Sequence, residues 1–371
     1  MRLMPPSSPY SRQPPCCTSF SGGGGMGDYS PADRLLHRWA LSSQGVRRLS
    51  LDIERALMKP DDEPNRSVCV TGLARAGTTA LMRGLYGSGD FASLTYTDMP
   101  FVLAPNLWGR LSRFNQRNRH RRQRAHGDGV EVDFDSPEAF EEVFWQLELG
   151  DYRGVPAALT PQTVSPAAVG SFRTYQQLVC QRHGATRYLA KNNNQVLRLA
   201  SLAPQTPETT YLVVFRDPLE QAFSLLNQHR RFANADPFTR QYMQWLGHFE
   251  FGATHRPMQL SDPSVNEAHE ALANPDSVNY WLGQWVNVYT YLHELSRQNL
   301  GNIWLVAYEG LCDDPHTWPL VCDLVGIPPS KSAFRRGKGG SGEPPQDTRL
   351  LEHARSLYAS LSARSVGRLS V

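Results

Sequence analysis

The chain has 371 residues, of which 40% are hydrophobic, 20% charged and 10% aromatic, and its 38 basic and 35 acidic residues leave a net charge of +3. This is an ordinary globular composition, which excludes a collagen-like, coiled-coil or wholly disordered chain. No apolar run reaches the ~18 residues of a membrane-spanning helix, and so small a net charge gives no ground for a nucleic-acid partner.

Residues 1–30 are rich in Pro, Ser and Gly (Pro5, Pro6, Pro9, Pro14, Pro15, Gly22–Gly25) and carry no apolar stretch of a secretory signal; they are expected to form a disordered tail, and Met26 opens the more regular sequence. A helical lead-in follows over 31–58, with Leu35, Leu36, Trp39, Leu49, Ile53 and Leu57 as its apolar anchors. Ser67–Thr71 reads as a buried strand, running through a glycine-containing loop into a helix over Thr78–Tyr86. A second strand is expected near Ala92–Tyr96, then a basic, polar insertion over 108–129 and an acidic, aromatic helix over 137–149. Helices are predicted over 167–183 and 193–203, and strands over Arg187–Ala190 and Thr210–Phe215. A helix starts at Pro218. Residues 251–276 form a long polar loop, 278–298 a helix and Asn302–Ala307 a strand; Pro315–Val325 is a helix ended by Gly326. A Gly-rich basic stretch over 335–347 precedes a last helix over 348–363. Strands alternating with helices predict an α/β fold, a parallel β-sheet flanked by helices on both faces.

The six cysteines make no framework: Cys16 and Cys17 adjoin in the tail, and Cys69, Cys180, Cys312 and Cys322 stand singly in apolar runs without zinc spacing. Free thiols and the missing signal predict a cytoplasmic protein. Only four of the 38 basic residues are lysines, a balance that points to a bacterial source and draws notice to Lys191.

The strongest motif is Thr71-Gly72-Leu73-Ala74-Arg75-Ala76-Gly77-Thr78-Thr79. Gly72 and Gly77 have the G-x-x-x-x-G spacing of a phosphate-binding loop between a strand and a helix, so backbone amides and the helix N-terminus favour an anion there. Thr78 stands where a P-loop kinase carries the Lys that reaches the β- and γ-phosphates. Arg75 instead puts a cation inside the loop. A second anchor lies at the end of the strand over 210–215: Arg216-Asp217-Pro218, with Ser224 eight residues after Arg216. An arginine at a strand end and a hydroxyl two turns into the next helix suit a second phosphate.

Together these elements resemble the sulfotransferase family that uses 3′-phosphoadenosine 5′-phosphosulfate (PAPS). Gly72–Thr79 is similar to its 5′-phosphosulfate loop, and Arg216 with Ser224 to its 3′-phosphate motif. The stretch Val306-Ala307-Tyr308-Glu309-Gly310-Leu311, followed by Asp314-Pro315 and Leu324-Val325-Gly326-Ile327-Pro328, is similar to the family's late strand–helix signature. Tyr188-Leu-Ala-Lys191 resembles the strand whose Lys assists transfer, and Phe334-Arg335-Arg336-Gly337 the basic loop over the 3′-phosphate. The resemblance covers a P-loop-like core over 66–345; within it 108–129 reads as a basic insertion and the long loop 251–276 as part of a substrate lid, with 346–371 as a C-terminal helix and tail. It implies PAPS as donor and 3′-phosphoadenosine 5′-phosphate (PAP) as product, with no metal. Arg75, Ala76, Gly77, Thr78, Thr79, Arg216, Ser224, Arg335, Arg336 and Gly337 would bind the donor, with Tyr308 near its adenine. Arg75 and Lys191 would act on the leaving phosphate.

One departure matters. The cytosolic branch places a His base two residues after the Lys; here that position is Asn193, which cannot take a proton. The carbohydrate- and tyrosine-modifying branches use a carboxylate, and Asp98, in an apolar stretch after the second strand, is the expected base; His126, Asp128, Glu131 and His229 are alternatives. Seven arginines over 110–124 read either as a solvated insertion or as a docking surface for an anionic acceptor. The expected partner is an acceptor hydroxyl or amine of a carbohydrate, lipid-linked glycan or small metabolite. A P-loop nucleotide kinase and a non-catalytic nucleotide- or glycan-binding relative remain as alternatives.

Overall fold

The computed structural model describes residues 30–60, 66–112, 139–150, 158–260, 274–329, 334–336 and 345–368. The five strands are β1 (Ser67–Thr71), β2 (Phe91–Ala92), β3 (Arg187–Lys191), β4 (Thr209–Phe215) and β5 (Ile303–Ala307). They form one sheet in the order β2-β3-β1-β4-β5, every pair parallel. Parallel strands are covered on both faces, so they read as continuous apolar runs. All five residues of SVCVT in β1 are buried.

Alternation along the strands divides the core in two. Val68, Val70, Leu189, Leu212, Val214 and Val306 face one cluster. It is filled by helices α3 (Thr78–Tyr86), α9 (Tyr308–Asp313) and α10 (Thr317–Val325). Cys69, Ala190, Tyr211, Val213, Phe215 and Leu305 face the other. Against it lie α4 (Glu142–Glu148), α5 (Pro166–His183), α6 (Pro218–Ala233), α8 (Val278–Ser296) and α11 (Thr348–Ala363). The chain is an α/β protein with β1 at the point where the strand order reverses, the crevice where such sheets bind ligands.

Some expectations change. The lead-in is two helices, α1 (Pro31–Ser42) and α2 (Gln44–Met58), because Ser43 is extended and its hydroxyl accepts from the Val46 amide. Their core-facing residues are His37, Ala40 and Leu41, then Arg47, Leu51 and Glu54. Leu35, Trp39, Leu49, Ile53 and Leu57 point outward. The polar pair reaches inward because it has partners there. Arg47 donates to Gln146 Oε1 and the Trp245 carbonyl, both at 3.0 Å. Glu54 accepts from the amides of Asn106 and Leu107 at 2.7 and 3.0 Å.

The second strand covers only Phe91–Ala92 and gives way to a 3₁₀ turn over Tyr96–Asp98 closed by a Thr95/Asp98 capping box. The expected helix over 193–203 is three short turns, Asn193–Leu197, Leu199–Leu202 and Ala203–Gln205. Asn192 caps the first, and Pro204 lies in the last. A separate helix, α7 (Pro237–Trp245), opens with Asp236 as cap and Pro237 in its first turn. The tail to residue 29, most of the basic insertion and residues 261–273 lie outside the described residues.

Candidate active site

The loop between β1 and α3 is shaped by its glycines. Gly72 has φ +132°, and a Cβ there would stand 2.3 Å from the Val214 carbonyl oxygen of β4. Gly77, at φ +99°, has the Tyr308 ring 2.2 Å from where its Cβ would be. Arg75 also takes a left-handed conformation, φ +69°, which costs a non-glycine residue ~1–2 kcal/mol. Gln221, buried on α6, donates to the carbonyls of Leu73 and Ala74 at 3.1 and 2.9 Å, and Trp285 Nε1 holds the Gln221 oxygen at 3.1 Å. The loop carbonyls are thus tied back to the scaffold. The Ala76 amide bonds within the loop, to the Leu73 carbonyl at 3.3 Å. The N-terminus of α3 has no side-chain cap, so Thr78 and Thr79 open it with its positive dipole end uncapped.

The second anchor meets the first. Arg75 Nε donates to the Ser224 hydroxyl on α6 at 3.0 Å. Arg216, at the end of β4, pairs with Glu220 one turn on, and its guanidinium carbon lies 6.0 Å from the Tyr308 ring centre. Asp217 caps α6 by accepting from the amides of Leu219 and Glu220. Desolvation and the positive charges of Arg216 and Arg231 hold the Arg75 guanidinium below the usual arginine range. A partly buried Arg75 with like charges around it is an arrangement that an anion relieves. The Tyr308 hydroxyl, pushed up to about 12 mainly by burial, donates to the Arg335 carbonyl at 2.9 Å. Arg336 turns to Asp313 with Nε–Oδ2 at 2.9 Å. Gly337 lies outside the described residues.

Lys191 closes β3 beside Val70 of β1. The next turn is clamped: the Asn192 amide donates to the Val70 carbonyl at 3.0 Å, and its side chain donates to Glu142 at 2.8 Å. Glu142 is itself held by Arg198 Nη1 at 3.1 Å. Asn193 is thereby fixed beside the loop. It accepts from the Thr78 hydroxyl at 3.4 Å and donates to Glu250 Oε1 at 3.0 Å.

Glu250 and its neighbour His248 are the functional candidates that sequence reasoning missed. The glycines flanking them, Gly247 (φ +78°) and Gly252 (φ +84°), let the backbone pack where a Cβ would be 2.3 Å from Glu142 Cγ and 2.9 Å from Phe232 Cβ. Asn194 Nδ2 holds the Gly247 carbonyl at 2.7 Å. His248 Nδ1 lies 3.4 Å from Glu250 Oε1, with the two side chains 21% and 7% exposed. Burial works to raise the Glu250 carboxyl, but the charge of His248, a hydrogen bond to it and the charge of Lys191 outweigh burial and bring it to about 2. Glu250 is a carboxylate at neutral pH, near Lys191 and the mostly buried imidazole of His248.

Asp98 is elsewhere. It is fully buried, accepts from the Thr95 amide at 2.9 Å, and pairs with Arg182 at 3.3 Å and His183 at 3.0 Å. Those partners end α5, just before β3 begins at Arg187. Lys191 lies a strand length further on, about 13 Å at ~3.3 Å per residue. The structure does not bring Asp98 to the phosphate loop; the apolar stretch around it is a structural corner. His229 is also structural: its Nδ1 accepts from the Gly252 amide at 3.2 Å, and its ring packs on Trp281. His126, Asp128 and Glu131 lie outside the described residues. Among the described residues no group of three or more His, Cys, Asp or Glu could hold a metal.

A parallel sheet with a glycine loop, an uncapped helix N-terminus and arginines at the strand reversal defines a P-loop-like α/β protein with a crevice suited to an anion. Residues 67–330 match the family model described as the sulfotransferase family, and the chain belongs to that family. Similar solved structures include the sulfotransferase STF1 from Mycobacterium tuberculosis, 15% identical, covering 91% of this chain and 82% of that one with a TM-score of 0.47. STF9 from Mycobacterium avium is 13% identical, covering 89% and 77% with a TM-score of 0.46. A sulfotransferase from Alicyclobacillus acidocaldarius is 14% identical, covering 81% and 94% with a TM-score of 0.37. No curated protein matches the chain.

Proposed function

We propose that this sulfotransferase moves the sulfuryl group of PAPS to a hydroxyl or amine of a carbohydrate, a glycolipid or a small metabolite, leaving PAP. The observation that carries the donor is the meeting of Arg75 with Ser224 beside Arg216 and Tyr308. It gathers two cationic positions, a hydroxyl and a ring at one end of the sheet, the kinds of group that a nucleotide with phosphates at both ribose ends engages. The 5′-phosphosulfate lies on the loop amides, Arg75, Thr78 and Thr79. The 3′-phosphate lies on Arg216 and Ser224, with Arg335 and Arg336 beside it and the adenine near Tyr308.

The donor supplies an activated S–O bond. The acceptor atom forms a new bond to sulfur as the bond from sulfur to the 5′-phosphate oxygen breaks, and the electron pair stays on that oxygen. Arg75 and Lys191 meet the growing charge, the kind of preorganised stabilisation that dominates such transfers. The acceptor's proton passes to His248. Its other ring nitrogen faces Glu250, which holds the imidazole and stabilises its cation. Asn193 takes no proton in this reading; it positions Glu250.

Thermal stability with PAP tests the donor site, against ATP and GTP with Mg²⁺. Ligand at 100 times its Kd adds ~2.7 kcal/mol to the folded state. The expected result is a metal-independent shift with PAP that Arg216→Ala removes. A shift only with ATP and Mg²⁺ would overturn PAPS as the donor.

A further inference from the structure

The large apolar side chains left exposed are not scattered over the surface. Among the described residues all six, Leu35, Trp39, Leu49, Ile53, Leu57 and Leu111, lie on α1, α2 or the helical segment 105–112. Their exposure runs from 43% for Ile53 to 68% for Leu35 and Leu111. Leu35 and Trp39, and likewise Leu49, Ile53 and Leu57, recur at four-residue steps, so each helix carries an apolar ridge on the side away from its core face. Trp39 meets Phe101 edge-on at 5.8 Å, Phe101 meets Trp108 at 5.1 Å, and Trp108 lies one turn before Leu111. Single exposed leucines are ordinary, whereas a patch gathered on one face marks an interaction site.

The surrounding charge selects the partner. On these segments Arg34, Arg38, Lys59 and Arg110 stand against Asp33 and Asp52, while Arg48 and Arg55 turn instead to Glu148 and Ser171. Arg34 and Arg38 also line, with Leu35, Phe238 and Trp245, a cleft of about 370 Å³ between α1 and α7. A cationic cleft beside the Leu35–Trp39 ridge of α1 has the two-part chemistry of a phosphate head group above acyl chains.

We propose that this face docks on the surface of an anionic phospholipid bilayer, with the ridge entering the interfacial layer and the arginines meeting lipid phosphates. A second copy of the chain is a poorer occupant, because a two-fold contact would set this cationic face against itself.

The test is co-sedimentation of the full chain with vesicles of phosphatidylcholine plus phosphatidylglycerol, and with phosphatidylcholine alone. Binding to the mixed vesicles is expected, weakened by salt. The triple variant Leu49→Ser, Ile53→Ser, Leu57→Ser should lower it about tenfold or more while its circular dichroism and PAP binding stay those of the parent. Arg34→Glu with Arg38→Glu gives an independent arm and should abolish the preference for anionic lipid. The proposal is overturned if the parent stays in the supernatant with mixed vesicles, or if the triple variant binds as the parent does. A dimer in light scattering that the triple variant dissolves, without vesicle binding, would assign the face to a second copy.

Discussion

Asn193 donates its side-chain amide to Glu250 at 3.0 Å, and so joins two positions that lie 57 residues apart in sequence. Glu250 in turn faces His248 at 3.4 Å. His248→Ala is expected to lower kcat by ~10²–10⁴ in a radiolabelled PAPS transfer assay across an acceptor panel, with PAP affinity unchanged. An undiminished rate on any accepted substrate would remove His248 from the mechanism.

The Glu250 carboxyl sits at about 2, below its ordinary 4.5. Its folded pKa is depressed, so the stability it contributes is present above pH ~4.5 and is lost as pH falls toward ~2. Glu250→Gln should therefore flatten the acid limb of the unfolding free energy by on the order of 3 kcal/mol. Denaturant melts across that window measure this, and a parallel acid limb in both proteins would contradict it.

The two loop glycines differ in what stands over them. Gly77 faces a side-chain ring at 2.2 Å, Gly72 a backbone carbonyl of the buried strand β4 at 2.3 Å. A ring can turn aside and a central strand cannot. Gly72→Ala is expected to destabilise by several kcal/mol, about 3 or more, and Gly77→Ala by less, although both should lose PAP binding. Equal melting temperatures for the two variants would refute the difference.

Gln221 ties down two loop carbonyls from inside α6. Gln221→Leu takes the side-chain donor from the Ala74 carbonyl, at ~1–3 kcal/mol, while the Leu73 carbonyl keeps the Ala76 amide and the Trp285 N–H keeps the Arg216 carbonyl. PAP affinity measured by calorimetry should fall with the loss of loop order. Unchanged affinity in a folded variant would show that the loop holds its shape unaided.

Asp98 offers the opposite case. Asp98→Ala strands Arg182 beside a buried vacancy and should destabilise by ~3–5 kcal/mol, yet leave PAP binding and the pH dependence of transfer as they were. A change in that pH profile at retained stability would restore Asp98 to the chemistry.

What the sequence made legible follows from range. The phosphate loop, the Arg216–Ser224 anchor and the β5–Tyr308 turn are each written within about a dozen residues, as a strand, a turn and a helix start. Their meeting follows from parallel strands, because all three lie at the same strand ends. His248 and Glu250 carry no such local mark; only the paired glycines at 247 and 252 hinted at a backbone held in close quarters. The start of α7 was readable from Asp236-Pro237, a capping residue before a first-turn proline. Asp98 misled because its surroundings are apolar, which suits a buried ion pair as well as an activated acid. The lead-in misled in the reverse sense: the apolar stripe of α2 faces out, and Arg47 with Glu54 faces in, since only tertiary partners make a buried guanidinium and carboxylate favourable.

The ring of Tyr308 fills the space above Gly77, and its hydroxyl holds the backbone of Arg335 at 2.9 Å. Three positions that are distant in the chain therefore share one fate in evolution. A larger residue at 77 requires the Tyr308 ring to turn aside or shrink, and a smaller residue at 308 releases the backbone at 335. Drift at any of them is tolerated only with compensation at the others, so the donor end of this molecule is epistatically locked.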